Sequence, residues 1–135
     1  MRIGQLARSV GVDTDTQTVR FYEREGLLPP PDRQENGYRV YTEKHGERLA
    51  FIRRCRILNL SLAEIQELQH YQGAPHQPCR AINALLDDHI AHVRSQITDL
   101  QVLEKQLVSL RASCNDDREI EACGVLEGLS EGSVQ

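Results

Sequence analysis

The sequence predicts a mainly α-helical protein: a winged helix-turn-helix unit, then one long coiled-coil helix, then a short C-terminal loop. Three observations carry this. Two short helical patterns flank Gly11, an Asn36-Gly37 pair between short runs signals a hairpin, and the stretch from Cys79 to Cys114 contains neither Gly nor Pro. Aromatic residues make up 4% of the 135 residues and Trp is absent, so the core must be built from Leu, Ile, Val and Ala, which suits packed helices better than a sandwich of sheets. This length allows one compact unit with an extension.

The opening run Ile3-Gly4-Gln5-Leu6-Ala7-Arg8-Ser9-Val10 has apolar residues at helical spacing, and Gly11 suits the turn that follows. A second helix is expected over Thr16–Arg24, with Val19 and Tyr22 on one face, and it cannot continue through Gly26-Leu27-Leu28-Pro29-Pro30-Pro31. Asn36-Gly37 marks a tight turn and the alternation of Tyr38 and Val40 reads as a strand, so residues 32–41 form a small β wing. Thr42 caps a helix carrying Leu49, Ile52 and Leu58. Ser61 and Glu64 form a capping box for the next, which carries Leu62, Ile65 and Leu68 and ends at the loop Gly73-Ala74-Pro75-His76-Gln77-Pro78.

Leu86, Val93, Leu100, Leu107 and Cys114 recur every seven residues, and Ile90, Ile97, Leu103 and Leu110 widen the stripe. About 35 helical residues span roughly 50 Å, too long for the small N-terminal unit to cover. A second copy of the helix, parallel or antiparallel, is the economical partner. After Cys114 the text turns polar through Asn115, Asp116 and Asp117, then reaches Cys123-Gly124 and a short helical turn over Val125–Leu129. The expected organisation is residues 1–72 as the winged unit, 73–113 as linker and dimerisation helix, and 114–135 as loop and tail.

The formal net charge of −4 hides an asymmetry. Residues 1–57 hold 11 Lys and Arg against 8 Asp and Glu, a balance of +3, whereas residues 58–135 hold 5 against 12, a balance of −7. The basic end can gain counterion-release energy from a polyanion whatever the charge of the other end. No apolar run approaches the roughly 20 residues that span a bilayer, and no secretory h-region opens the chain, so no membrane partner and a cytoplasmic location are expected. In a reducing cytosol, four cysteines point to metal binding, redox chemistry or burial rather than to a disulfide framework. No nucleophile, base and orienting group assemble into a catalytic set, so no enzyme is expected.

Reading duplex DNA needs a helix for the major groove, with arginines and amides that pair with base edges or phosphates. Gln17, Thr18, Arg20 and Tyr22 on the second helix supply them. Together, Ile3-Gly4-Gln5-Leu6-Ala7, the run from Thr18 to Pro29 (Thr-Val-Arg-Phe-Tyr-Glu-Arg-Glu-Gly-Leu-Leu-Pro) and Gly37-Tyr38-Arg39-Val40-Tyr41 closely resemble the MerR family of winged helix-turn-helix regulators. The resemblance covers nearly the whole chain. It implies that Arg20 and Tyr22 lie on the recognition helix, that Tyr38 and Arg39 of the wing grip the phosphate backbone, and that the partners are double-stranded promoter DNA and RNA polymerase at the promoter. One departure stands out: the run Val12-Asp13-Thr14-Asp15-Thr16-Gln17-Thr18 is longer by an Asp-Thr pair than the family pattern. Two extra residues inside the helix would rotate Arg20 by about 200°, so the pair is expected in the turn, with Asp or Thr capping the second helix.

Thiolates favour lead, cadmium, mercury, copper(I) and zinc over hard cations. Cys79 opens the long helix and Cys114 closes it, so they cannot share an ion within one chain; an antiparallel pairing would bring Cys79 of one subunit beside Cys114 and Cys123 of the other. The same three positions match the cysteines of metal-binding MerR relatives. The flanks Ile52-Arg53-Arg54-Cys55-Arg56 and Asn83-Ala84-Leu85-Leu86-Asp87-Asp88-His89-Ile90 resemble the lead- and cadmium-responsive branch, and the spacing from Cys114 to Cys123 resembles lead and mercury sensors. Three thiolates suit Pb(II), whose lone pair tolerates an open side, while structural zinc generally takes a fourth ligand. Pb(II) is therefore the expected effector, with Cd(II), Hg(II) and Zn(II) as alternatives. Cys55 is expected to be buried core and His76 a solvated loop residue.

The resemblance implies a homodimer that represses without metal and activates a heavy-metal resistance promoter with it, by distorting an overlong spacer. A thiol redox-sensing regulator is the competing reading of the cysteines. A storage protein or metallochaperone would need the cysteines without the basic winged unit.

Overall fold

The computed structural model describes residues 1–11 and 14–131, in two compact units, Met1–Leu85 and Leu86–Gln135. Helices α1 (Ile3–Val10) and α2 (Thr16–Arg24) open the first unit. Strands β1 (Asp32–Arg33) and β2 (Arg39–Val40) pair antiparallel, with Asp32 opposite Val40 and Arg33 opposite Arg39. Helices α3 (Glu43–Ile57) and α4 (Leu62–Gln72) follow, then α5 (Arg80–Ala112), which begins in the first unit and continues into the second. The second unit ends in a 3-10 turn over Ile120–Ala122 and a short helix α6 (Gly124–Ser130). The mainly helical winged fold expected from sequence is the one observed, and α2 has the expected limits.

Capping explains where the helices start. Asp15 precedes α2 and its carboxylate accepts the Thr18 N–H at 2.8 Å, the aspartate cap expected for this helix. Val12 and Asp13 of that run lie outside the described residues. Ser61 Oγ accepts the Glu64 N–H at 3.1 Å and Glu64 Oε1 accepts the Ser61 N–H at 2.9 Å, the reciprocal box expected for α4. At α3 the arrangement is less usual: the Thr42 N–H donates to His45 Nδ1 at 3.0 Å, which leaves His45 Nε2 as donor to the Pro30 carbonyl at 3.2 Å. Buried His45 thus fastens the proline-rich entry of the wing to the start of α3.

The core forms two adjoining clusters. Leu6, Ala7, Val19, Leu28, Tyr41 and Leu49 join α1, α2 and α3, while Leu27, Ile52, Cys55, Leu60, Ile65 and Leu85 join α3, α4 and the first turns of α5. Cys55 is buried, as expected. Leu58, expected on the buried stripe of α3, is 64% exposed. The helix ends at Ile57, Asn59 takes a left-handed φ of 62°, and the reversal drops Leu60 into the core in place of Leu58. Burial of Leu85 extends the first unit past Gly73, so α5 grows from a packed base.

Helix α5 has 33 residues, about 50 Å at 1.5 Å per residue. Leu86, Ile90, Ile97, Leu100, Leu103 and Leu107 are 40–63% exposed, so the heptad stripe finds no cover in the single chain. No helix of the described residues is long and apolar enough to cross a membrane.

Candidate nucleic-acid interface and thiol site

On α2, Gln17 and Arg20 are exposed and Thr18 is half-buried at the cap, while Val19 between them is fully buried. This helix therefore turns its polar edge out by anchoring its apolar one. The Thr18 amide holds the Asp15 carboxyl below the usual carboxylate range. Tyr22 is less free than a surface contact residue: it is half-buried against both core clusters, and its carbonyl accepts the Leu27 and Leu28 N–H groups at 3.0 and 3.3 Å. Helix α4 secures the exit of α2, with Gln66 Nε2 donating to the Glu25 carbonyl and Gln69 Nε2 to the Leu27 carbonyl, both at 2.9 Å.

The wing turns through Glu35-Asn36-Gly37. Gln34 N–H donates to the Tyr38 carbonyl and Gly37 N–H to the Gln34 carbonyl, each at 2.9 Å, and Gly37 adopts φ +85°, the left-handed position of a three-residue hairpin. Tyr38 is left 52% exposed. Arg39 is half-buried and donates to Glu23 Oε2 at 3.5 Å, and the Tyr41 hydroxyl donates to Glu23 Oε1. One carboxylate on α2 therefore fixes the wing against that helix and partly neutralises Arg39. Burial, then the neighbouring Glu23, pushes the Tyr41 hydroxyl up to about 12 from 10.0. A raised tyrosine contributes stability that is complete below its unfolded value near 10 and is lost as pH climbs through about 12. Urea unfolding at about pH 9 and about pH 11.5 should differ by on the order of 2 kcal/mol from this group, a slope that Tyr41→Phe removes.

Of the thiols, Cys79 is exposed in the first unit, just ahead of α5, where its carbonyl accepts the Asn83 N–H at 2.9 Å. His76 beside it in the loop is exposed too. Cys114 and Cys123 lie within hydrogen-bonding reach of each other in the second unit, both half-buried. The amides of Leu126 and Val125 at the start of α6, and then the Cys114 thiol, hold the Cys123 thiol below its ordinary value. Burial pushes the Cys55 thiol up, which keeps it inert. Among the described residues, no three potential ligands converge within the single chain.

Gly124 makes the loop's closure possible. A Cβ there would run into the carbonyl and hydroxyl of Ser113, at the end of the long helix. Gly124→Ala must push α6 and the adjoining Cys123 away from Cys114, and overpacking of roughly 1–3 kcal/mol should appear as a lower melting temperature in thermal unfolding.

Residues 1–72 match the family described as MerR HTH family regulatory protein, and residues 47–110 that described as MerR, DNA binding. The chain belongs to the MerR family. Among solved structures, the transcription regulator PbrR691 from Ralstonia metallidurans CH34 in complex with lead(II) is 47% identical, covers 96% of this chain and 98% of its own, and superposes with a TM-score of 0.81. MerR from Bacillus megaterium MB1 in complex with mercury(II) ion is 32% identical, with coverage of 96% and 99% and a TM-score of 0.67. A ZntR homolog of Haemophilus influenzae, an HTH-type transcriptional regulator, is 42% identical over 111 residues, 82% of this chain and 81% of that protein.

In this MerR chain, Gln17 and Arg20 share the exposed edge of α2 and Thr18 sits half-buried at its cap, with Tyr38 and Arg39 on the wing. Glu23, Tyr41 and the two α4 glutamines, which hold these pieces in place, were not singled out from sequence. Their partners lie 16 to 42 residues away, and no local pattern announces them. Cys114 and Cys123 are brought together as expected.

Proposed function

We propose that this MerR-family regulator is a cytoplasmic homodimer that binds promoter DNA through Gln17, Thr18, Arg20, Tyr22, Tyr38 and Arg39. It senses a thiophilic metal ion through Cys79 of one subunit and Cys114 and Cys123 of the other. The observation that carries the reading is the adjacency of Cys114 and Cys123 at the end of a helix whose apolar stripe lies exposed. The donor set fits a soft cation: two sulfurs are already paired, and the helix-start amides favour the charged form of one of them. Pb(II) is the favoured effector, supported by the likeness to lead-bound PbrR691, with Cd(II), Hg(II) and Zn(II) as alternatives.

The antiparallel arrangement has support in the register. Setting Cys79 opposite Cys114 of the partner also sets Leu86 opposite Leu107, Ile90 opposite Leu103 and Val93 opposite Leu100, so one alignment closes both the thiol set and the apolar stripe. When bound, the ion supplies a bridge between the two subunits. The chain's own contribution is bistability: the wing and α2 move as one piece through Glu23, and the thiolate loops favour one dimer geometry over the other. Repression then gives way to activation at the promoter, with RNA polymerase in place, as the protein untwists its operator.

Titrating the reduced dimer with lead, cadmium, mercury and zinc tests this directly. Thiolate-to-metal charge-transfer bands should saturate at one ion per site, in step with operator-dependent transcription, and lead should require the lowest free concentration. Bands that saturate without any change in transcription would remove the sensing role.

A further inference from the structure

Arg2 stands apart from the other cations of the winged unit. It precedes α1, and its backbone N–H is taken by Gln5 Oε1 at 3.0 Å, while its guanidinium carbon sits 4.1 Å from the centre of the Tyr38 ring. Both residues are exposed, and they come from opposite ends of the winged unit's first half. Arg39, by contrast, is already committed to Glu23. Among the described residues no acceptor takes a hydrogen bond from the Arg2 guanidinium, and the first turn of α1 carries no acidic side chain. A guanidinium over a ring uses its face for the cation–π contact and keeps its N–H donors, which radiate in its own plane, for another acceptor. The ring in turn restricts a long side chain that would otherwise lose entropy on docking.

We propose that Arg2 is a DNA-phosphate contact, carried on the wing by the ring of Tyr38, so that the wing presents a preorganised cation that its own Arg39 supplies only in part. The assignment rests on the DNA-binding reading above. It gives Tyr38 a positioning role beyond any contact of its hydroxyl, and it takes the phosphodiester backbone as the partner because phosphates are the anionic groups that a duplex presents to a cation.

The test uses the full-length dimer and a duplex enriched from random sequence by the wild-type protein. Arg2→Ala is expected to weaken binding roughly tenfold per half-site and to make the slope of log K against log salt shallower by about 1 per subunit, while Arg2→Lys retains the slope. The same Arg2→Ala factor should persist in a Tyr38→Phe background, which keeps the ring face, and shrink towards unity in Tyr38→Leu. Circular dichroism and thermal unfolding of Arg2→Ala should match wild type. Unchanged affinity and salt slope in Arg2→Ala, with wild type binding its duplex, overturns the Arg2 assignment alone. An equal Arg2→Ala factor in Tyr38→Leu overturns the stacking role, and a wild-type protein that enriches no duplex overturns the DNA reading together with this one.

Discussion

Serine in place of Cys79, Cys114 or Cys123 is expected to abolish metal-induced transcription while operator binding without metal stays near wild type. Serine keeps the shape of cysteine and removes the soft, readily ionised sulfur, so the change falls on metal affinity rather than on packing. Even changes outside the ligand sphere typically cost about 10–100-fold in metal affinity, and loss of a primary thiolate should exceed that. The switch fails for a second reason. An effector moves a two-state equilibrium only by its differential affinity, and a site short of one thiolate no longer ties the two subunits together, so residual binding shifts little. Cys55→Ser is the informative contrast: that thiol is buried in the core and raised by burial, so its replacement should lower the melting temperature and leave induction intact. Reporter transcription, gel shifts and thermal melts on the four variants separate these outcomes. Induction retained in Cys79→Ser, Cys114→Ser and Cys123→Ser alike would remove the thiol site from the account.

What the chain shows on its face and what it conceals divide along a physical line. Features written within four or five residues were legible: the limits of α2, the Asp15 cap that absorbs the longer turn, the Ser61–Glu64 box and the uninterrupted α5. Each depends on local hydrogen bonds or on the periodicity of one face. The exchange of Leu58 for Leu60 was hidden because it depends on a single left-handed residue, Asn59, after α3. Hidden too were the Glu23 tie to Arg39 and Tyr41 and the stacking of Arg2 on Tyr38, because both need the wing folded back on the helices before the partners meet. Those are the contacts that orient the candidate DNA-binding residues of α2 and the wing. The candidate DNA-facing residues could therefore be proposed from sequence, but the clamps that hold them in place could not. At the thiol end the adjacency of Cys114 and Cys123 was expected, while the amides of Val125 and Leu126 that favour the Cys123 thiolate required the geometry of α6.

The second large effect concerns the long helix. Leu100→Asp with Leu107→Asp is expected to convert the dimer to monomers and to abolish operator binding, because a two-fold dimer suffers each change twice. Four leucines at roughly 2 kcal/mol of burial each amount to roughly 8 kcal/mol, several orders of magnitude in the dimer dissociation constant before any cost of burying charge. Both side chains are more than half exposed in the single chain, so the winged unit should keep its own melting behaviour. The direction of pairing is open to a sharper trial with opposite charges. Val93→Glu and Leu100→Lys should each weaken the dimer. Combined in one chain they should partly restore it, because the antiparallel register sets residue 93 of each subunit against residue 100 of the other. In a parallel pair residue 93 would meet its own copy, glutamate against glutamate, and the combination would be worse than either change alone. Light scattering over a dilution series distinguishes the two. Partial restoration also predicts that metal titration of the double variant recovers its charge-transfer bands, since the same register would bring Cys79 to the proposed site with Cys114 and Cys123 of the second copy.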